Sequence, residues 1–494
     1  MRIKLLILLL IMIPIIINAK NITVGSSGDY LDLGSALSNA KPGDTLILLS
    51  EKHKVNQYIQ NINGEADKWI VITSNPQNPA MFEGGSTAIQ LSDVSYLKIS
   101  NIVFSGQSAN GFNIDDGGTY DSPTHHIIIE NCKWLGMNAT GNNDELKMSG
   151  IDNFEVRFCV FENGASGGSM IDMVGCHQGK IYGNTFSKAG SNAIQAKGGC
   201  KGIDIYQNYF SNAGQRSINI GGSTGLQYFR PLDANYEAMN IRVYTNQFVG
   251  SVAPIAFVGA TQCSVINNLL YMPERWLVRI LQENVNEGFV RCSYNTFANN
   301  ICYFNNSANN ERGINIGSNT LPNTFDFSNN FWYNTDNQNW NGPNPAVTHT
   351  NSILNQNPLL INHNLAYKIE KNSPAVGKGK KFDFVEFDYF GEKFNDPPSI
   401  GANEGNPPIS DILNFSNDID NKNFLSFSDF QKFLASTKDR HLELIIYTLT
   451  GEELFKGTLE SQLNLENLNF VKGFYIYSLL NNTKIKYKGI IINN

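Results

Sequence analysis

Residues 170–223, MIDMVGCHQGKIYGNTFSKAGSNAIQAKGGCKGIDIYQNYFSNAGQRSINIGGS, carry one pattern more than twice over. A short strand ending in Gly (MIDMVG, AIQAKGG, SINIGG) alternates with a strand that runs into Asn and then a bulky apolar residue (KIYGNTF, DIYQNYF). Outward from this stretch the Asn phrase returns as KISNIVF, IIIENCKW, FEVRFCVF, RVYTNQF, VINNLLY, FANNICYF and DFSNNFWY, and the Gly phrase as ELKMSG, PIAFVGA and GINIGS. The asparagines Asn101, Asn131, Asn184, Asn208, Asn246, Asn268, Asn300 and Asn330 fall roughly 22 to 38 residues apart, with one coil between Asn131 and Asn184 that has Phe158 or Cys159 instead. Self-similarity at such a period marks a solenoid. Strand-rich coils closed by Asn predict a parallel β-helix, in which side chains from successive coils stack about 4.8 Å apart.

Aligning the glycines that end the second strand puts Leu146, Ile171, Ile194 and Ile218 in one inward column and Met148, Met173, Ala196 and Ile220 in another. Side chains alternate across a strand, so the residues between must face outward. That outward column reads Lys147, Asp172, Gln195, Asn219, and beside it lie Ser149, Val174, Lys197 and Gly221. RWLVRILQEN adds Arg275, Arg279 and Glu283 farther on. A strip that carries Lys, Asp, two amides and a second Lys suits a polar polymer, although exposed strands are usually polar and Lys147 could simply pair with Asp172 across a rung.

Two more features bear on this strip. GNNDELKMSGID sets Asp144 and Glu145 beside Lys147, with Asp152 close behind, and oxygen ligands of this kind suit Ca²⁺. The stretch GGSTGLQYFRPLDANYEAMN lengthens the coil between Asn208 and Asn246 and carries Tyr228, Arg230, Asp233 and Tyr236. Loops on a rigid scaffold often carry function, and aromatic residues with Arg are apt to stack on and pair with an acidic sugar.

The bulk properties narrow the class. With 494 residues, 16% charged and a formal charge of −7, general nucleic-acid binding is not expected. Residues 1–19 read as a secretory signal: Arg2 and Lys4, an apolar run from Leu5 to Ile17, then Asn18 and Ala19. The chain is therefore expected to be secreted or held at the cell surface, as a monomer. The seven cysteines contain no CxxC pair, and Cys176 and Cys200 follow glycines at equivalent places in adjacent coils, so packing is favoured over disulfides. After the signal, a strand, a short amphipathic helix through Leu33, Ala36 and Leu37, a PGD turn and a second strand suit a cap on the open end of the coil. From about Trp340 to Pro408 the period fades into what read as irregular final coils.

From about Asp411 onward the texture changes to period-2 alternation with Gly turns, as in a small antiparallel sandwich. IYTLTGEEL, then LENLNFVKGFYIYSL, then a Lys-containing final strand resembles the C-terminal sorting domain of the type IX secretion system. That resemblance implies outer-membrane secretion machinery as a partner. The expected organisation is thus 1–19 signal, 20–408 β-helix, and 409–494 sorting domain.

The Asn ladder, the N-terminal cap and the exported destination resemble the polysaccharide lyases and pectin-type hydrolases. The implied fold class is all-β, a right-handed parallel β-helix of the pectate lyase-like kind. In such lyases a uronic acid is cleaved by β-elimination: a basic side chain removes the C5 proton while Ca²⁺ or a cation neutralises the adjacent carboxylate. For an acidic polysaccharide substrate, Lys147 is the first candidate base, because a Lys near another cation can have its pKa lowered, and Lys197 the second. Arg230, Arg275 or Arg279 could serve the carboxylate, Asp172, Gln195, Asn219 and Tyr228 could bind substrate, and Asp144, Glu145 and Asp172 could ligate Ca²⁺. A hydrolase needs paired carboxylates; Asp115 and Asp116 are adjacent, and alternation would usually send them to opposite sides. A surface adhesin or glycan-binding module without catalysis fits the same outline.

Overall fold

The structure, a computed structural model, describes residues 19–405 except 120, 364 and 365, and beyond them 424–426, 430, 434, 441–448, 453–458, 473–481 and 484–493. The expected export signal lies almost wholly outside these residues. Contacts divide the chain into two units, at Gly405 and Asn406.

The first unit is a parallel β-solenoid of about 13 turns. Each turn lays one strand on each of three walls, sheets of sixteen, ten and twelve strands among the described residues. Apolar residues at every second position point inward, where Phe82, Phe104, Trp134, Phe161, Phe186, Phe210 and Phe248 stack with centroids 4.5 to 5.8 Å apart. All seven cysteines are buried in this unit and unpaired. At the N-terminal end the helix Leu33–Leu37 buries Leu33, Ala36 and Leu37, and the Asp32 side chain caps it by accepting the Ser35 N–H at 2.9 Å.

The asparagines form two columns where the sequence reading has one. Asn184, Asn208, Asn246, Asn268, Asn300 and Asn330 make a buried ladder in which each Oδ1 accepts the backbone N–H of the preceding rung at 2.8 to 3.0 Å. Each Nδ2 before the last donates to the next Oδ1 at 3.0 to 3.2 Å. Asn101 and Asn131 sit one position earlier, at a corner with φ of 58° and 53°, alongside Phe158, Gln207, Thr245 and Asn267. In those early coils Cys132 and Cys159 hold the ladder position and turn their thiols to backbone carbonyls. Both columns favour Asn for different reasons: the corner because Asn tolerates left-handed backbone, the ladder because its amide satisfies donor and acceptor at once.

The stretch after Trp340 also differs from expectation. Strands His349–Thr350 and Ile353–Leu354 still join the walls, but the chain then makes an antiparallel hairpin, Leu360–His363 with Ala366–Ile369, and returns along the outside. Leu269, Ile301 and Phe331 are apolar on an outer wall, and Ile369, Ala375, Ile400 and Ala402 cover them. Gln247 fastens the strap by exchanging hydrogen bonds with the Tyr367 backbone at 2.9 and 2.7 Å. Covering this apolar surface takes it out of water.

In the second unit the described residues form one five-stranded sheet, antiparallel except for the pair Phe424–Ser426 and Lys484–Asn493. The described residues of this unit contain no second layer of the expected sandwich.

Candidate active site

The ten-stranded wall carries the strip. Its register pairs Leu146 with Ile171, Ile171 with Ile194 and Ile194 with Ile218, and so also Lys147 with Asp172, Gln195 and Asn219 in turn. The four apolar residues are fully buried, which turns their polar neighbours to the outer face.

Asp172, only 1% exposed, lies between two ammonium groups. Lys147 bonds its Oδ2, and Lys197 Nζ lies 3.2 Å from its Oδ1. Asp144 stands 3.5 Å from Lys147 and accepts the Ser169 N–H at 2.8 Å. Burial works to lower the Lys147 pKa, but Asp172 and then Asp144 outweigh it and hold the amine above the usual lysine range. The sequence argument for Lys147 as a base needs the opposite shift; its nearest charges are anions, and it is kept as a cation.

Lys147 and Lys197 form part of a cleft of about 510 Å³ whose other walls include Asp116, Ser149, Tyr228 and Arg230. The insertion supplies one wall. Arg230 reaches back to the coil and grips Asp152 with two hydrogen bonds of 2.7 and 3.1 Å, while also donating to the Gly175 carbonyl at 3.0 Å. Its guanidinium therefore tethers the insertion more directly than it offers a site for a substrate carboxylate. Tyr228, by contrast, is 61% exposed at the cleft.

The acidic wall is formed by the pair that strand alternation is expected to separate. Asp115 and Asp116 both line the cleft, because the strand Phe112–Asp115 ends between them and strict alternation stops there. Asp115 takes four hydrogen bonds: Gln90 and Asn113 on Oδ2 at 2.9 and 3.1 Å, Ser92 and the Gly117 N–H on Oδ1 at 2.6 and 3.0 Å. Asp116 is mostly buried, and burial pushes its pKa up against the opposing Gly118 N–H. Gly150 makes room for it: at φ 68° the backbone is left-handed, and a Cβ there would come within 2.1 Å of Asp116 Oδ2. The strand end at DDGG is the one sequence signal for this wall.

Other expected residues fall elsewhere. Glu145 is fully buried with both carboxyl oxygens unpartnered, and burial followed by the charge of Glu162 pushes its pKa well up. Asp144 is engaged as described and Asp172 lies between cations, so these carboxylates do not fit a calcium centre here. Among the described residues no group of three or more His, Cys, Asp or Glu side chains is arranged to hold a metal ion. Asn219 keeps its column but is only 1% exposed. Arg279 lies five rungs from Lys147, about 24 Å at ordinary strand spacing. There Arg275 and Arg279 lie over the Trp276 ring, 4.0 and 4.7 Å from its centroid, and neither lines the cleft.

A family model described as a right handed beta helix region matches residues 87–270. The fold is thus a right-handed β-helix. Among solved structures, an alginate lyase from Paenibacillus sp. strain FPU-7 is 17% identical over 61% of this chain and 99% of its own, with a TM-score of 0.38. The pectate lyase Pel9A is 12% identical over 79% and 97%, with a TM-score of 0.49. PfbA, a surface adhesin of Streptococcus pneumoniae, is 11% identical over 68% and 92%, with a TM-score of 0.37. At these identities their chemistry does not carry over. No curated protein matches the sequence.

Proposed function

We propose that the protein is an exported polysaccharide lyase that cleaves a uronate-containing glycan by β-elimination in the cleft of Lys147 and Lys197. The observation that carries this reading is the pair of lysine side chains flanking Asp172 at one cleft. A uronate carboxylate must be neutralised before its neighbouring carbon acid gives up a proton, and Lys147, held charged by Asp172 and Asp144, is suited to that task. Lys197, once it has given up its own proton, takes the C5 proton, the electron pair forms the C4–C5 double bond, and the C4–O bond breaks. Asp116, whose burial favours the protonated form, returns a proton to the leaving oxygen.

The C-terminal unit acts in this reading as the sorting segment engaged by outer-membrane secretion machinery, and the catalytic unit works as a secreted or surface-held monomer. No helix among the described residues is long and apolar enough to cross a membrane.

The test is a panel of alginate, pectate, chondroitin and heparin-type polymers followed by the ultraviolet absorbance of unsaturated products. Turnover on one polymer that Lys197→Ala abolishes while polymer binding persists supports the reading. Silence on every polymer, with binding retained, leaves an adhesin. The Asp115–Asp116 pair at the cleft favours hydrolysis as a second reading; new reducing ends without ultraviolet absorbance would establish it.

A further inference from the structure

We propose that the cleft is a blind groove that receives the end of a glycan chain, so that the protein works from a terminus instead of within the polymer. The inference rests on the strip as the glycan site but not on the chemistry done there.

Outward residues on the ten-stranded wall change character along its length. Toward the N-terminal end Tyr58, Gln60, Gln90, Asn113 and Asp115 are exposed or half-buried. Past Lys197 the next two outward rungs are closed off, with Asn219 1% exposed and Ala256 and Val258 not exposed at all, before Arg279 and Leu281 on the third are half-buried again. Strand alternation leaves the closed-off residues facing outward, so other parts of the chain cover them.

The cover begins with the insertion itself. A Cβ on Gly222 would lie 2.8 Å from Gln195 Nε2 and 3.2 Å from Lys197 Cδ, so the main chain crosses directly against the strip at that rung. Ser223, Thr224 and Gly225 then form the end of the cleft. Glu237, fully buried, fixes this barrier by accepting the Thr224 N–H and hydroxyl at 2.8 and 2.7 Å and the Gly198 N–H at 2.9 Å. Behind it, Arg216 pairs with Glu283 at 3.0 Å, and the Val290 N–H donates to the Asn235 carbonyl at 2.7 Å. A buried carboxylate with this many donors is costly to disturb, so the barrier is a fixed wall and not a swinging lid. A glycan lying along the strip therefore enters over Gln90 and Asn113 and ends at Lys197.

Viscosity and ultraviolet absorbance, followed together on alginate and on polygalacturonate, test the inference. Action from a chain end raises absorbance while viscosity holds, with monomers or dimers as first products; an early viscosity fall with mid-sized oligomers overturns it. Glu237→Ala loosens the wall and is expected to shift products toward longer oligomers without abolishing turnover. Binding gives an independent readout for a protein that turns over nothing. Titrated with oligogalacturonates and oligomannuronates of increasing length, a blind groove saturates at one protein per chain, whereas a ratio that grows with chain length overturns the proposal. Silence on all polymers removes the lyase reading, and the binding ratio still decides the groove.

Discussion

The asparagine ladder and the outward strip are both stacked polar columns with one residue per rung, yet they differ in almost every physical respect. The ladder repeats one residue from Asn184 to Asn330, is buried, and satisfies itself rung to rung. The strip changes residue at every rung, mixes charge with amide, and stays open over only part of its length. A uniform stack solves one structural problem repeatedly. A varied one concentrates unlike groups at one place, and that place is where chemistry is to be sought.

The largest effect expected from this contrast is on turnover. Removing a positioned proton-transfer group costs about 10²- to 10⁴-fold in rate, so Lys197→Ala is expected to lose activity at least a hundredfold, with a smaller effect on the thermal midpoint because Lys147 still pairs Asp172. Asn219→Ala, on the next strand along the same face and buried, is expected to do the reverse: a lower midpoint and a modest rate change. Equal rate losses in the two variants would mean that the strip acts as a structural column too.

The ladder should answer in stability. Asn246 accepts from the Asn208 N–H and Nδ2 at 2.9 and 3.0 Å and donates to Asn268 Oδ1 and two carbonyls. Asn246→Ala strands several buried partners at about 1–3 kcal/mol each, so a loss of about 3 kcal/mol or more in a denaturant titration is expected. A loss under about 1 kcal/mol would show that water enters and replaces the amide.

Beside the cleft, pH separates a structural ion pair from a catalytic one. Burial works to raise the Asp152 pKa, but hydrogen bonds from His177 and Arg230 and the charge of Arg230 bring it down to about 2. The folded state therefore holds this proton less tightly than the unfolded chain, so the pair's contribution is present above the unfolded carboxylate pKa and is lost as pH falls toward 2. Its size is about 2 kcal/mol. Asp152→Asn is expected to flatten the acid limb of stability against pH; an unchanged limb would mean that Arg230 does not tether the insertion.

Much of this was legible in the chain. Periodicity alone places Lys147, Asp172, Gln195 and Asn219 in one outward row, because alternation and the terminal glycines fix the register. Three things were not legible. Asn serves both at left-handed corners and in the ladder, so Asn101 and Asn131 look like rungs and are corners. Asp115 and Asp116 share a wall only because a strand happens to stop between them. The burial of Asn219 and the commitment of Arg230 to Asp152 depend on where an insertion lands, and no local pattern encodes that.

The smallest effect concerns the corner column, where Phe158 is the bulkiest misfit. It holds φ 55°, a conformation that Asn adopts at the equivalent Asn101, Asn131 and Asn267. Left-handed backbone costs a bulky residue about 1–2 kcal/mol, and Asn recovers part of that. Against this stands an edge-on contact of Phe158 with Tyr182, centroids 5.5 Å apart, of a kind worth about 0.5–1.5 kcal/mol. The ring also occupies space left by Gly183, where a Cβ would approach it to 2.7 Å. Phe158 is 42% exposed, so part of its hydrophobic burial is also lost on replacement. Phe158→Asn is therefore expected to change stability by less than about 1 kcal/mol, because relief of backbone strain opposes the lost contact and burial. A drop beyond about 1 kcal/mol in the same titration would mean that the aromatic contact outweighs backbone strain, and that the early coils hold together by side-chain stacking where the later ones use amides.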